Sequence, residues 1–197
     1  KSSYLIGRLT SSKYYFNRLL NEFSKSEYIE EVLIWISYVD LEIGYIDNVQ
    51  NDLLLYKNSY NKMSNRKKYL IDLLSAKVAN YNKNINEEKI HYTSAIENSS
   101  NKFQQIFLYR KLLSIAEFEK NYISAIECIN FIEKKSSEDI NLELMDKWFL
   151  YSRLLGKFDE VLTKISEKLD LEVKVNDIIY YNIEKAKTYL DKYEIDN

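Results

Sequence analysis

The chain has 197 residues, 46% hydrophobic and 29% charged, with no proline, three glycines and a net charge of −2. This balance excludes wholesale disorder, and the shortage of turn formers disfavours sheet-rich folds relative to long helices joined by short polar loops. A near-neutral charge without a groove-reading motif argues against nucleic-acid binding by this domain, and a lone cysteine precludes an internal disulfide.

In chain order, residues 1–28 read as part of an N-terminal hairpin, with Tyr15, Leu19, Leu20 and Phe23 on one helical face. Residues 29–68 read as a helix pair. Val32, Trp35, Ile36 and Val39 share a face of the first helix, and Glu42-Ile43-Gly44-Tyr45-Ile46-Asp47-Asn48-Val49 reads as the turn opening the second. A basic run follows, Lys57, Lys62, Arg66, Lys67 and Lys68, with no acid between Asp52 and Asp72. It reads as a solvated loop and helix start, or else as a docking patch for an acidic partner.

Residues 69–104 carry a fainter pair: Leu73, Ala76 and Asn80, then Asn84 at the turn, then Ile90, Thr93 and Ile96. Lys77 falls where the later pairs have Leu113 and Phe149, which points to a register one residue off. Asn101 followed by Gln104 has capping-box spacing.

The signal is strongest over residues 105–140 and 141–175, which align without gaps. Tyr109, Leu112, Leu113 and Ala116 match Met145, Trp148, Phe149 and Ser152, and Tyr122, Ala125, Ile126 and Ile129 match Phe158, Val161, Leu162 and Ile165. Each matched pair is 36 apart, as 148 − 112 and 161 − 125 show. Three- and four-residue steps place each set on one helical face, and small residues at Ala116, Ser152 and Ala125 let helices approach closely. Residues 176–197 read as a closing helix, Asp177 to Tyr193, capped by Asn176. The expected breaks lie near residues 25, 44, 64, 84, 100, 120, 137, 156 and 174, and no linker separates domains.

The order of a bulky residue, a large-small pair, a loop glycine, a turn aromatic and a small residue opening the second helix resembles the tetratricopeptide repeat (TPR). Leu154-Leu155-Gly156-Lys157-Phe158-Asp159-Glu160-Val161 carries the resemblance best, then Asn121-Tyr122-Ile123-Ser124-Ala125-Ile126-Glu127. The family repeat is 34 residues, and its helix-ending proline is replaced here by polar runs such as Lys134-Lys135-Ser136-Ser137. The resemblance implies a single all-α domain, a right-handed superhelical solenoid of about four repeats (29–68, 69–104, 105–140, 141–175) plus terminal helices. It further implies a concave groove lined by the exposed side of each first helix: Phe107, Arg110, Ser114, Glu117, Glu143, Asp146, Leu150 and Arg153. Only Arg110 and Arg153 suit a C-terminal carboxylate clamp, so the expected groove is mixed in charge and partly apolar.

Catalytic and metal-binding motifs are sparse. His91, the sole histidine, stands three residues after Glu88, a di-iron spacing whose necessary second copy does not exist. It reads better as a partly exposed histidine on a second helix. Cys128, between Ala125 and Ile129, reads as a small core residue with no basic neighbour to activate it. The expectation is therefore a non-enzyme without cofactor: a scaffold or adaptor for a partner protein or peptide, made in part of the 18 tyrosines. The alternative is the peptide-sensing C-terminal domain of a transcriptional regulator, and self-association through solenoid ends is a further expectation. No run of apolar residues is long enough to cross a membrane. A start at Lys1 reads as a trimmed piece of a cytoplasmic or bacterial periplasmic protein whose leader is missing.

Overall fold

The computed structural model describes residue 4 and residues 6–136, 142–170 and 175–196, with side chains of the last helix as far as Tyr193. Among the described residues the chain is all α, with ten helices and no strand. They are α1 (Leu9–Glu22), α2 (Ile29–Ile43), α3 (Ile46–Ser59), α4 (Asn65–Tyr81), α5 (Ile85–Asn98), α6 (Lys102–Phe118), α7 (Tyr122–Lys135), α8 (Leu142–Leu154), α9 (Phe158–Leu169) and α10 (Val175–Asp196). A 3-10 turn, Tyr60–Lys62, follows α3. The helices gather into two compact units, Lys1–Leu108 and Tyr109–Asn197, the division falling inside α6. The expected breaks near 25, 44, 64, 84, 100, 120 and 156 fall between helices, whereas 137 and 174 lie outside the described residues.

Among the described residues one turn design recurs four times. Gly44, Lys83, Lys120 and Gly156 all take the left-handed conformation, with φ of 100°, 56°, 55° and 70°. The N–H of the next residue then reaches back to the carbonyl five positions earlier: Tyr45 to Asp40, Asn84 to Ala79, Asn121 to Ala116, and Lys157 to Ser152, at 2.8–2.9 Å. This closure satisfies carbonyls that the helix end would otherwise orphan. Asn84 and Asn121 start the following helices, their side chains accepting from the backbone N–H groups of Glu87 and Ser124.

The turns correct the register of the fainter pair. Lys83, not Asn84, is the left-handed residue, so the step to Lys120 is 120 − 83 = 37, whereas 156 − 120 = 36. Ala79 rather than Asn80 therefore occupies the small position of Ala116. Glu88, Tyr92 and Ala95 take the buried places of Ala125, Ile129 and Ile132, while Ile90 and Thr93 face outward. Lys77 is displaced from the core and pairs with Glu42 at 2.6 Å.

Two terminal expectations also change. On α1 the buried residues are Ser12 and Phe16, whereas Tyr15, Leu19 and Phe23 are exposed. Asn176 lies inside α10, which begins at Val175, so it is not the cap. The core of the first unit is built on Ile34, Val39, Val49, Leu74 and Ala76, and that of the second on Ala125, Ile129, Phe149, Val161 and Ile165, all fully buried. Each large apolar side chain so buried stabilises its unit by about 1.5–3 kcal/mol relative to exposure.

Candidate functional site

Within the second unit, polar ties run from one first helix of a pair to the next. Glu117 on α6 accepts hydrogen bonds from Tyr151 Oη and pairs with Lys147 Nζ on α8, both at 2.8 Å. On α8, Asp146 accepts from Tyr180 of α10, the same carboxylate–tyrosine pairing over the same separation of 34 residues. Arg153 of α8 donates from Nη1 to Glu184 Oε2 at 2.6 Å, and its Nε lies 2.9 Å from Asp191 Oδ2. Lys187 adds a 2.6 Å contact to the same Glu184 carboxylate.

These ties govern the local ionisation. Burial raises the Tyr151 and Tyr180 phenols well above their ordinary range, and the adjoining Glu117 and Asp146 carboxylates raise them further. Burial alone would raise Glu184, but hydrogen bonds from Lys187 and Arg153 outweigh it and hold the carboxyl below 4.5. At neutral pH Tyr151 and Tyr180 are therefore neutral donors and Glu184 is an ionised acceptor.

Of the expected groove residues, the structure commits Glu117, Asp146 and Arg153 to holding helix against helix. Glu143 is exposed and lies 3.6 Å from Lys147 one turn on. Arg110, Ser114 and Leu150 are exposed, with Ser114 Oγ donating to its own helix at the Arg110 carbonyl. On α8, Glu143, Asp146, Leu150 and Leu154 form one outward stripe at helical spacing. Phe107 is exposed and belongs to the first unit; the other seven residues belong to the second.

Sequence reasoning missed the α10 partners of this ladder. Their signal was present as Tyr180, Glu184 and Asp191 at three- and four-residue multiples, but a carboxylate on an amphipathic helix ordinarily reads as solvated. Also missed was a polar cage in the first unit. Asp72 Oδ2 accepts from Tyr60 Oη at 2.7 Å, Ser94 Oγ at 2.9 Å and Asn98 Nδ2 at 3.1 Å. Burial raises the Asp72 carboxyl despite these three donors, and it pushes the Tyr60 phenol up to about 12. The cage fastens the 3-10 turn after α3 to the α4–α5 hairpin.

The remaining singled-out residues have structural surroundings. Half-buried His91 on α5 is held below its usual pKa by burial, partly offset by the charge of Asp72. Cys128 is buried, and burial pushes its thiol up to about 11, away from the reactive thiolate. In the basic run, Arg66 pairs with Glu31 at 2.8 Å, Lys67 pairs with Glu30, and Lys68 lies over the Tyr60 ring. Most of that charge is thus answered within the first unit. Among the described residues no three His, Cys, Asp or Glu side chains are grouped to hold a metal ion, and no helix is long and apolar enough to cross a membrane.

Comparison with protein-family models, with curated proteins and with solved structures returns no match.

Proposed function

We propose that this chain is a non-catalytic, TPR-like scaffold, and that it holds a partner protein or peptide on the exposed first-helix face of its second unit. The observation that carries this reading is the ladder from α6 through α8 to α10. Each of its two carboxylate–tyrosine ties joins alternate helices across 34 residues, a span close to the repeat period, as stacked helical hairpins would place them. By fixing Glu117, Asp146 and Arg153 into one framework, the ties present Arg110, Ser114, Leu150 and Leu154 on rigid elements rather than loops. A partner suited to that surface offers an apolar anchor for the two leucines and an acidic group for Arg110. The step from a helical stack to binding is an analogy of fold.

The test is selection of peptides against the whole chain from a displayed library, followed by binding to Leu150→Asp and Arg110→Glu variants. The reading expects a binder whose affinity falls ~10-fold or more in each variant, a loss of about 1.4 kcal/mol, with the melting temperature unchanged. Retention of no peptide, or binding indifferent to both substitutions while Ile123→Asp on α7 abolishes it, would sink the assignment of this face.

A further inference from the structure

A second surface stands apart from the ladder. Along α10, Ile179, Ile183, Ala186 and Leu190 follow steps of four, three and four residues, the spacing of a coiled-coil seam. All four are exposed, the three larger ones at 55%, 50% and 63%. The opposite edge of the same helix is the packed one, where Tyr181, Glu184 and Thr188 are buried. The stripe is therefore not a mis-assigned core face; α10 has apolar residues on a side that its own unit leaves uncovered. Scattered exposed apolar residues need no explanation, but a contiguous stripe at seam spacing marks an interface.

We infer that this stripe pairs with the same stripe of a second copy of the chain. Two features select that occupant. The four seam positions themselves carry no charge, and the flanking Lys187 is paired with Glu184, so closing the stripe against an identical apolar stripe buries no charge within the seam. Its sequence of large, small and large residues is also self-complementary about a two-fold axis at Ala186: the small residue permits close approach at the centre, while Ile183 and Leu190 fill the space on either side. The area is sufficient. With Val175 and Tyr193 continuing it at either end, the stripe exposes on the order of 600 Å² per copy, or about 1,200 Å² over a pair, where specific interfaces begin.

Sedimentation velocity of the whole chain, from sub-micromolar to several hundred micromolar, reads this directly. The expected result is a rise from monomer to dimer mass with concentration. Ile183→Lys with Leu190→Lys moves the midpoint up ~100-fold or more while helical circular dichroism is retained. A monomer mass at every concentration overturns the inference, as does association unaffected by the double substitution. Ala186→Cys supplies an independent reading, because the native Cys128 is buried. Mild oxidation is expected to give a disulfide-linked dimer through position 186 and none through Ile123→Cys, an exposed control on α7. Equal cross-linking of the two also overturns it.

Discussion

Asp72 in the first unit and Glu184 in the second are both carboxylates with only 4% of their surface exposed. Asp72 is surrounded by neutral donors, a phenol, a hydroxyl and an amide, that converge from a turn and from α5. Glu184 is held by two cations, Arg153 from α8 and Lys187 from its own helix. Neutral donors satisfy the oxygen without neutralising the charge, so desolvation prevails and the Asp72 pKa is raised. Cations outweigh desolvation, and the Glu184 pKa is lowered. A helical hairpin can thus bury a carboxylate either as a directional hydrogen-bond hub or as an ionic clasp. The two choices give opposite responses to acid.

The largest expected effect breaks the clasp. Arg153→Met leaves Glu184 buried with only the half-exposed Lys187 as partner, and should cost about 3 kcal/mol in urea unfolding. Adding Glu184→Met should recover most of that loss, because a buried ion pair replaced by apolar side chains is often nearly neutral. No recovery would mean that Asp191 depends on Arg153, and Lys187 on Glu184, more than the geometry indicates.

Next comes the hub. Asp72→Ala removes the acceptor of three donors and should cost about 2–3 kcal/mol, with Tyr60→Phe costing about 1 kcal/mol. Asp72→Asn, which retains an acceptor and removes the buried charge, should be much milder than Asp72→Ala. If the two are equally damaging, charge rather than geometry holds the hub.

The pH dependence sharpens the contrast. For Glu184 the folded pKa lies below the ordinary 4.5, so its contribution is present above that value and lost as pH falls through the folded pKa. For Asp72 the folded pKa lies above the ordinary 3.8; its favourable contribution is full below that value and lost as pH rises through the folded pKa. Glu184→Gln should therefore flatten the loss of stability in acid, and Asp72→Asn should steepen it. Melting temperatures of the three proteins, followed from neutral pH down through and below the ordinary carboxylate range, decide the matter.

The smallest effects concern the turns. Gly44→Ala and Gly156→Ala should each cost about 1 kcal/mol, the strain of a left-handed residue bearing a Cβ. The added methyl meets no heavy atom within 4 Å at either site, so strain alone is measured. Lys83→Gly and Lys120→Gly should each gain about 0.5 kcal/mol, since these lysines already bear that strain.

The turn pattern also explains where the sequence was legible. Gly44 and Gly156 announce a left-handed residue, and Lys120 is located by its gapless match to Gly156. Lys83 has neither signal, so Asn84, a good helix cap, was read as the turn residue itself. That single slip moved the expected face of α5 to Ile90 and Thr93, because a one-residue shift rotates a helix by about 100°. The Asn101–Gln104 box was legible because both partners are local: Asn101 Oδ1 accepts from Gln104 N–H at 3.0 Å, and Gln104 Oε1 accepts from Ser100 N–H at 2.8 Å. Of the expected groove, the outward positions Arg110, Ser114 and Leu150 follow from periodicity alone. The roles of Glu117, Asp146 and Arg153 do not, because their partners lie 30 or more residues away.

By itself the sequence determined the helical class, nearly every helix boundary and the two best-matched hairpins. These depend on propensity, local capping and the 3.6-residue period, all carried by neighbours in the chain. Tertiary structure decided which carboxylates are buried, which outward residues are tied down, and which apolar stripe on α10 is left uncovered. Those outcomes depend on side chains brought together from distant segments, and no local pattern encodes whether a charged residue on a helix will meet water, a phenol or an arginine.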